Sequence, residues 1–522
     1  MTRSSEISKE PARLASYRKA AKALKRAVRN GEGEALARIA MTGKPASAIR
    51  HADCLHVIAQ EAGYASWPVL KFDIETMARD RAGRRQSLAQ ALYQGWNPQV
   101  ERLLANDPVL PDGHLGLVAA LYDRQAVAAI LKDDPQAATR LAGWRRPILH
   151  LAASRYHRTA PEKSDDALAI ADMLIEHGAD VNDTMAANPG DDSDGGERLS
   201  ALYAALCHAG NAPLARHLLQ RGADPDDGES FYHATELGHL DGIRLLMEHG
   251  ATLDGTNAFF RMLDFDNLDG VRLMLDYGAD PNECPAQWMV AHRSERGNAL
   301  HHAIRRGRDG RFVDLLLDAG ADPSALYLGH TAYALARIYG NREAARALEA
   351  RGAASPLAEN ERFLAAAVDG DAGAVDVFMP RSGELIASLH PEEQALHIEV
   401  ARMAGGLERL KALVAAGFDP DYRDRQESIT ALHGAAWFGL ADHVAFLLQF
   451  PQDLEHRNVH GANALGTAIH GSTNCPEAAA GDYERTVELL IEAGCSINPD
   501  RGDLLMGSEA VTAIIEAALA ET

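Results

Sequence analysis

The chain is poor in cysteine: five in 522 residues, at positions 54, 207, 284, 475 and 495. They are scattered, odd in number, and form no C-x-x-C pair. That excludes a disulfide framework and points to free thiols in a reducing, cytoplasmic setting. There is no run of about 18 apolar residues, so no membrane-spanning helix is expected. The N-terminal stretch has no apolar segment of the secretory type. Aromatic residues are 6% of the chain while apolar residues are 46%. A core of that composition has to be built from Ala and Leu, whose small and medium side chains let helices approach closely. Four catalytic or nucleotide patterns are also missing: G-x-x-x-x-G-K-[ST], G-x-G-x-x-G ahead of a parallel-sheet pattern, H-E-x-x-H and G-x-S-x-G. The reading is therefore no enzyme, no cofactor and no metal.

Charge is uneven. Residues 1–85 hold 17 Lys/Arg against 9 Asp/Glu, whereas the remaining residues hold 35 against 65. An acidic body repels phosphate backbones, which argues against nucleic acid. By the same logic a protein partner of this body would be basic.

What is present is a repeated pattern, clearest at residues 430–448, TALHGAAWFGLADHVAFLL. Leu432, Ala435 and Ala436 make one apolar stripe and Val444, Leu447 and Leu448 another, so two short helices are predicted on either side of Gly439. Isolated helices under about 12–15 residues are marginal in water, so the pair needs neighbours. Diverged copies supply them. Their ends read HGADVN, RGADPD, HGATLD, YGADPN, AGADPS, RGAAS, AGFDPD and AGCSIN. Each Gly follows a helical run, where a left-handed residue ends the helix without a side-chain clash. Successive glycines from Gly178 to Gly352 are 28 to 44 residues apart, so the period is irregular.

The T-x-L-H-x-A-A string at 430–436 resembles the ankyrin repeat, with Ala431 in place of the usual Pro. The resemblance implies an all-α ankyrin-repeat solenoid of about 12–13 helix pairs with helical N- and C-terminal caps. It divides the chain into a basic helical cap at 1–85, degenerate pairs at 86–145, an array with insertions at 146–500 and a closing helical cap at 501–522. Residues 52–71 are similar to a short helical module that precedes such arrays in a group of bacterial proteins. The resemblance also implies binding of a protein on the concave face, made of first helices and fingers. Positions just before the mid-repeat turn are the expected contacts: Arg305, Arg306, Ile338, Tyr339, Trp437 and Phe438. A regulatory or inhibitory subunit that sequesters an enzyme or toxin is the alternative.

Three constellations invite chemistry and are read structurally. His150, His301 and His433 occupy the His of the T-P-L-H-like string and are expected to bond to neighbouring backbone. DDSDGGE at 191–197 fails the EF-hand spacing: with Gly195 sixth, Gly190 stands first and Ala201 twelfth. The insertion 470–483 carries His470, Cys475, Asp482 and Tyr483, and a Cys–His nucleophile there is the third functional reading.

Overall fold

Asn and Asp side chains start many of the helices. Asp123, Asn211, Asn267, Asn341, Asp371 and Asp482 each stand at the start of a second helix and accept a backbone N–H from its first turn. The glycines that end the pairs are left-handed, with φ between 71° at Gly352 and 106° at Gly417. These two devices cut the chain into helices of about two turns. The computed structural model describes residues 10–46, 49–77, 79–186, 198–253, 256–284, 297–475, 478–497 and 507–521. Residues 191–197, and with them the acidic finger, lie outside that set.

Contacts divide the chain into two units. One holds Ile58–Asp280 and the opening of the first helix up to Ala20; the other holds Ala21–Val57, Pro281–Cys284 and the described residues from Gly297 onward. Among the described residues each unit contains six helix pairs. The first unit starts its pairs with Arg81–Gln94 and Asn97–Asn106 and ends with Ala258–Asp264 and Leu268–Asp276. A short antiparallel ribbon, Thr184–Ala186 with Arg198–Ser200, is the one sheet found there. The second unit runs from Ala299–Arg305 and Gly310–Asp318 to Ala464–Asn474 and Tyr483–Glu492. The helix Glu509–Glu521 then packs on that last pair, burying Val511 and Ile515. The fold is an all-α solenoid of stacked helix pairs, as the repeat pattern implied.

Stacking in the second unit is regular at both ends and altered in the middle. Ala299–Arg305 packs on Ala332–Ile338, and Gly310–Asp318 on Arg342–Ala350. Further on, Leu396–Ala401, Ala431–Trp437 and Ala464–Asn474 stack in turn. Between these runs, Glu359–Asp369 meets the outer helix Leu407–Ala415. The finger that should stand there is replaced by Met379–Arg381, Ser382–Ser388 and Pro391–Gln394. The core through this junction is continuous, from Ile338 and Phe363 to Leu410, Leu432 and Leu490. Among the described residues no helix is long and apolar enough to cross a membrane.

Candidate partner-binding face

The pair at 430–448 folds as Ala431–Trp437 and Ala441–Leu447 around Gly439, whose φ of 63° makes the turn. Thr430 and His433 form a capping box, and burial holds the His433 imidazole near a pKa of about 4, so it is neutral in the fold. The helix Ala464–Asn474 comes very close to this pair at Gly471. A Cβ there would sit 2.3 Å from the Trp437 carbonyl oxygen, so a residue without one is required. The Tyr483 hydroxyl donates to that same carbonyl at 2.6 Å.

Trp437 and Phe438 are half-buried and pack against the core of the second unit. The Trp437 ring lies 5.6 Å from the His470 ring, and the Arg402 guanidinium 5.9 Å from the Phe438 ring. Trp437 helps line a groove of ≈ 670 Å³ with Arg402, His433, Arg457, Asn463 and His470. Glycines at 434 and 466 lie in its lining, and Arg402 crosses Gly434 so closely that a Cβ there would come 2.8 Å from its stem. Trp437 is thus neither a free surface aromatic nor a sealed core residue.

The other expected contacts are placed differently. Arg306 is exposed. Ile338 is a correction: it is 0% exposed and belongs to the core with Phe363 and Leu364, because its helix packs its last turn on Glu359–Asp369. Tyr339 and Arg305 are half-buried and already engaged by their own chain. The Arg305 guanidinium stands 5.0 Å from the Tyr327 ring and 5.9 Å from the Tyr339 ring, and pairs with Glu392 at 3.5 Å. Burial opposes its charge, but Tyr339, Tyr327, Glu392 and Glu399 more than offset this and raise its pKa. The Tyr327 hydroxyl donates to the same Glu392 carboxylate.

A neighbouring buried triad was not foreseen. His330 Nδ1 lies 2.6 Å from Glu361 and Nε2 2.7 Å from Glu393, with all three side chains buried. The remaining carboxylate oxygens accept backbone N–H groups, from Ala358 at 2.6 Å and His390 at 2.8 Å. Burial alone would lower the His330 pKa, but Glu393 and Glu361 outweigh it and raise it. Glu392 and Glu393 belong to the irregular stretch that the sequence marks only by Pro380 and Pro391.

The three repeat histidines bond to nearby backbone, as expected. His301 caps with Asn298 and shares a hydrogen bond with the Ala325 carbonyl at 3.1 Å, and His150 bonds to the Ala142 carbonyl at 2.8 Å. His433 Nδ1 accepts the Thr430 backbone N–H at 3.4 Å and lies 2.9 Å from the Thr430 hydroxyl. The 470–483 insertion is not a free loop. His470 lies in the extended first helix and bonds to Asn474, Asp482 caps the second helix, and Tyr483 is buried. Cys475 is buried in the core of the second unit. Among the described residues no group of three or more His, Cys, Asp or Glu is placed to hold a metal ion.

Comparison with family models agrees with an architecture of stacked helix pairs. Residues 201–284 match the family model "Ankyrin repeats" in three copies, so the chain contains ankyrin repeats. A stretch of 101 residues is 36% identical to "E3 ubiquitin-protein ligase KEG" of Arabidopsis thaliana, spanning 19% of this chain and 6% of that protein. Among solved structures, the human ASB11 ankyrin repeat domain is 18% identical, with a TM-score of 0.24, over 51% of this chain and 97% of that one. The ankyrin repeat domain of Bcl-3, described as a unique member of the IkappaB protein family, is 20% identical with a TM-score of 0.20, over 50% and 99%.

Proposed function

We propose that the chain is a non-catalytic scaffold that binds a protein partner along the first-helix face of its second unit. Ankyrin repeats are protein–protein interaction modules, and the single observation that carries the finer reading is Trp437. It is a large aromatic side chain, half-buried and lining an open groove, at the end of a helix otherwise made of Ala, Leu, His and Gly. Such anchors dominate interface energetics. Phe438 beside it, and Tyr339 and Arg306 on earlier first helices, extend the face. This half of the chain is acidic overall, which favours a basic partner, whereas the groove itself is lined by Arg402, Arg457 and His470 against the single carboxylate Glu427.

The test is a double substitution, Trp437→Ala with Phe438→Ala, in the full chain. A pull-down with mass spectrometry supplies the partner, and titration then measures its affinity. The expected loss is about 2 kcal/mol or more of binding free energy. Because both rings also touch the core, the melting temperature should fall modestly. Unchanged affinity with a large fall in melting temperature would make the pair core and remove it from the site.

A further inference from the structure

The first unit carries arginines that its own carboxylates do not meet. Arg81, Arg85, Arg145, Arg155 and Arg158 form no ion pair with Asp or Glu among the described residues. Arg81 donates to the Val109 carbonyl at 2.7 Å, and Arg85 to the carbonyls of Leu110 and Asp112. Arg155 donates twice to the His208 carbonyl, at 2.9 and 2.7 Å, and Arg158 to that of Ala209 at 3.0 Å. Backbone carbonyls hold these guanidinium groups in place but leave their full charge unneutralised.

Arg145 is the extreme case. It is 9% exposed, and its company is aromatic: the Tyr93 ring at 4.2 Å and the Trp144 ring at 4.8 Å. His208 stacks on the same Tyr93 with ring centroids 3.8 Å apart. Burial pushes the His208 pKa down to about 4, and Arg155, Arg145 and Arg158 push it the same way. A buried guanidinium without an anion is costly. Proteins retain such an arrangement where a ligand completes it.

Next to it lies a cavity of ≈ 620 Å³ lined by Arg81, Arg85, His114, Trp144 and His150, with no carboxylate in its lining. On the hairpin that closes it, Leu141 is 64% and Trp144 38% exposed. The charge pattern along the chain agrees. Residues 81–160 carry 11 Lys/Arg and 6 Asp/Glu, a net of +5, while residues 161–522 carry 27 and 59, a net of −32. The stretch 155–163 between the helices Pro147–Ala152 and Ser164–Glu176 delivers Arg155 and Arg158.

We propose that this face of the first unit is a docking surface for an acidic peptide. Arg81 and Arg85 keep most of their N–H donors for its carboxylates. Trp144, with Arg145 stacked on it, takes an apolar side chain between them. The exposed apolar rim and the strongly acidic remainder of the chain favour a short peptide over a phosphate backbone. This surface belongs to the first unit and the face around Trp437 to the second, so either reading can fail without the other.

The experiment uses the full chain and a fluorescein-labelled peptide, Glu-Asp-Phe-Asp-Glu-Leu, followed by anisotropy. Its Gln/Asn isostere and a Lys-substituted counterpart are measured alongside. The acidic peptide should bind at least tenfold more tightly than either, and less tightly as salt rises. Arg85→Glu and Trp144→Ala should each weaken it at least fivefold while the melting temperature stays within a few degrees. Equal binding of the isostere, or wild-type binding by both variants, would overturn the proposal. So would displacement of the peptide by a lower concentration of oligothymidylate, which would reassign the surface to phosphate.

Discussion

In the second unit His330 lies between two carboxylates, Glu361 at 2.6 Å and Glu393 at 2.7 Å. In the first unit Arg145 lies between two aromatic rings and meets no carboxylate among the described residues. The two sites are similarly buried and oppositely compensated. His330 and its neighbour Arg305 receive Glu393 and Glu392 from the stretch that replaces a finger, so these ion pairs hold an irregular junction of the array together. They are internal joints, and they use side chains that a regular repeat would offer to a partner. Other arginines of the first unit do pair with carboxylates, such as Arg102 with Asp73 and Arg146 with Asp183, but Arg81, Arg85, Arg145, Arg155 and Arg158 join nothing through charge among the described residues. The same residue type therefore has a different meaning in the two units, and what separates the cases is whether the chain supplies the anion.

The comparison is tested most severely by removing the compensating charge. Glu393→Gln should lower stability by about 3 kcal/mol or more, because it leaves a buried charge short of its partner. Thermal melts across pH give the signature. The His330 pKa is raised in the fold, so its pairing stabilises fully below the ordinary value of 6.5 and is lost as pH rises through the raised value. The gap between wild type and variant should thus be widest near about pH 6 and narrow towards about pH 9. A gap that is constant with pH would show that the glutamate acts as a neutral hydrogen-bonding group. His150 and His208 have the opposite sign. Burial holds both near a pKa of about 4, so their neutral forms cost stability as pH falls from 6.5 towards 4.

Where the two units are built alike, they should respond alike. Gly222 in the first unit and Gly320 in the second both end a helix pair, with φ of 95° and 93°, and a Cβ at either would meet no atom within 4 Å. Only backbone conformation is then at stake. Gly222→Val and Gly320→Val should each cost about 2 kcal/mol, the strain of a β-branched residue in the left-handed region. Chemical denaturation measures both. A tenfold difference in folding equilibrium between the two variants would mean that the repeat register differs between the units.

How much of this was readable beforehand follows from range. The left-handed glycines and the short paired helices depend on residues a few positions apart, and the sequence shows them directly. Trp437 was also recognisable, since a large aromatic residue stands out before a turn glycine in an Ala-Leu core. Its partial packing on His470 was not, because that contact needs the close approach at Gly471 of the following pair. Ile338 was misplaced for the same kind of reason: its burial depends on Phe363, Leu364 and the outer helix Leu407–Ala415 that fills the altered junction. Nothing local distinguishes Glu392 and Glu393 from surface acids, yet they cross the junction to Arg305, Tyr327 and His330. The basic region was obscured by a boundary. Charge counted to residue 85 stops short of Arg145, Arg155 and Arg158, whereas counting to residue 160 gathers them.

The smallest expected effect decides the meaning of the comparison. Arg145→Met replaces a buried, unmet guanidinium with an apolar chain of similar reach. It removes two aromatic contacts, each a cation–π interaction of about 0.5–2 kcal/mol. It also removes the cost of holding that charge at 9% exposure with no carboxylate partner among the described residues. These terms oppose each other, and methionine keeps its own contact with Tyr93 and Trp144. The net change in stability should therefore lie within about 1 kcal/mol, far below that of Glu393→Gln. Urea denaturation with fluorescence detection would read it, and a circular dichroism melt would confirm that the helices persist. A loss of several kcal/mol would show that Arg145 is structurally satisfied after all, and that the first unit carries no uncompensated cation for a ligand to meet.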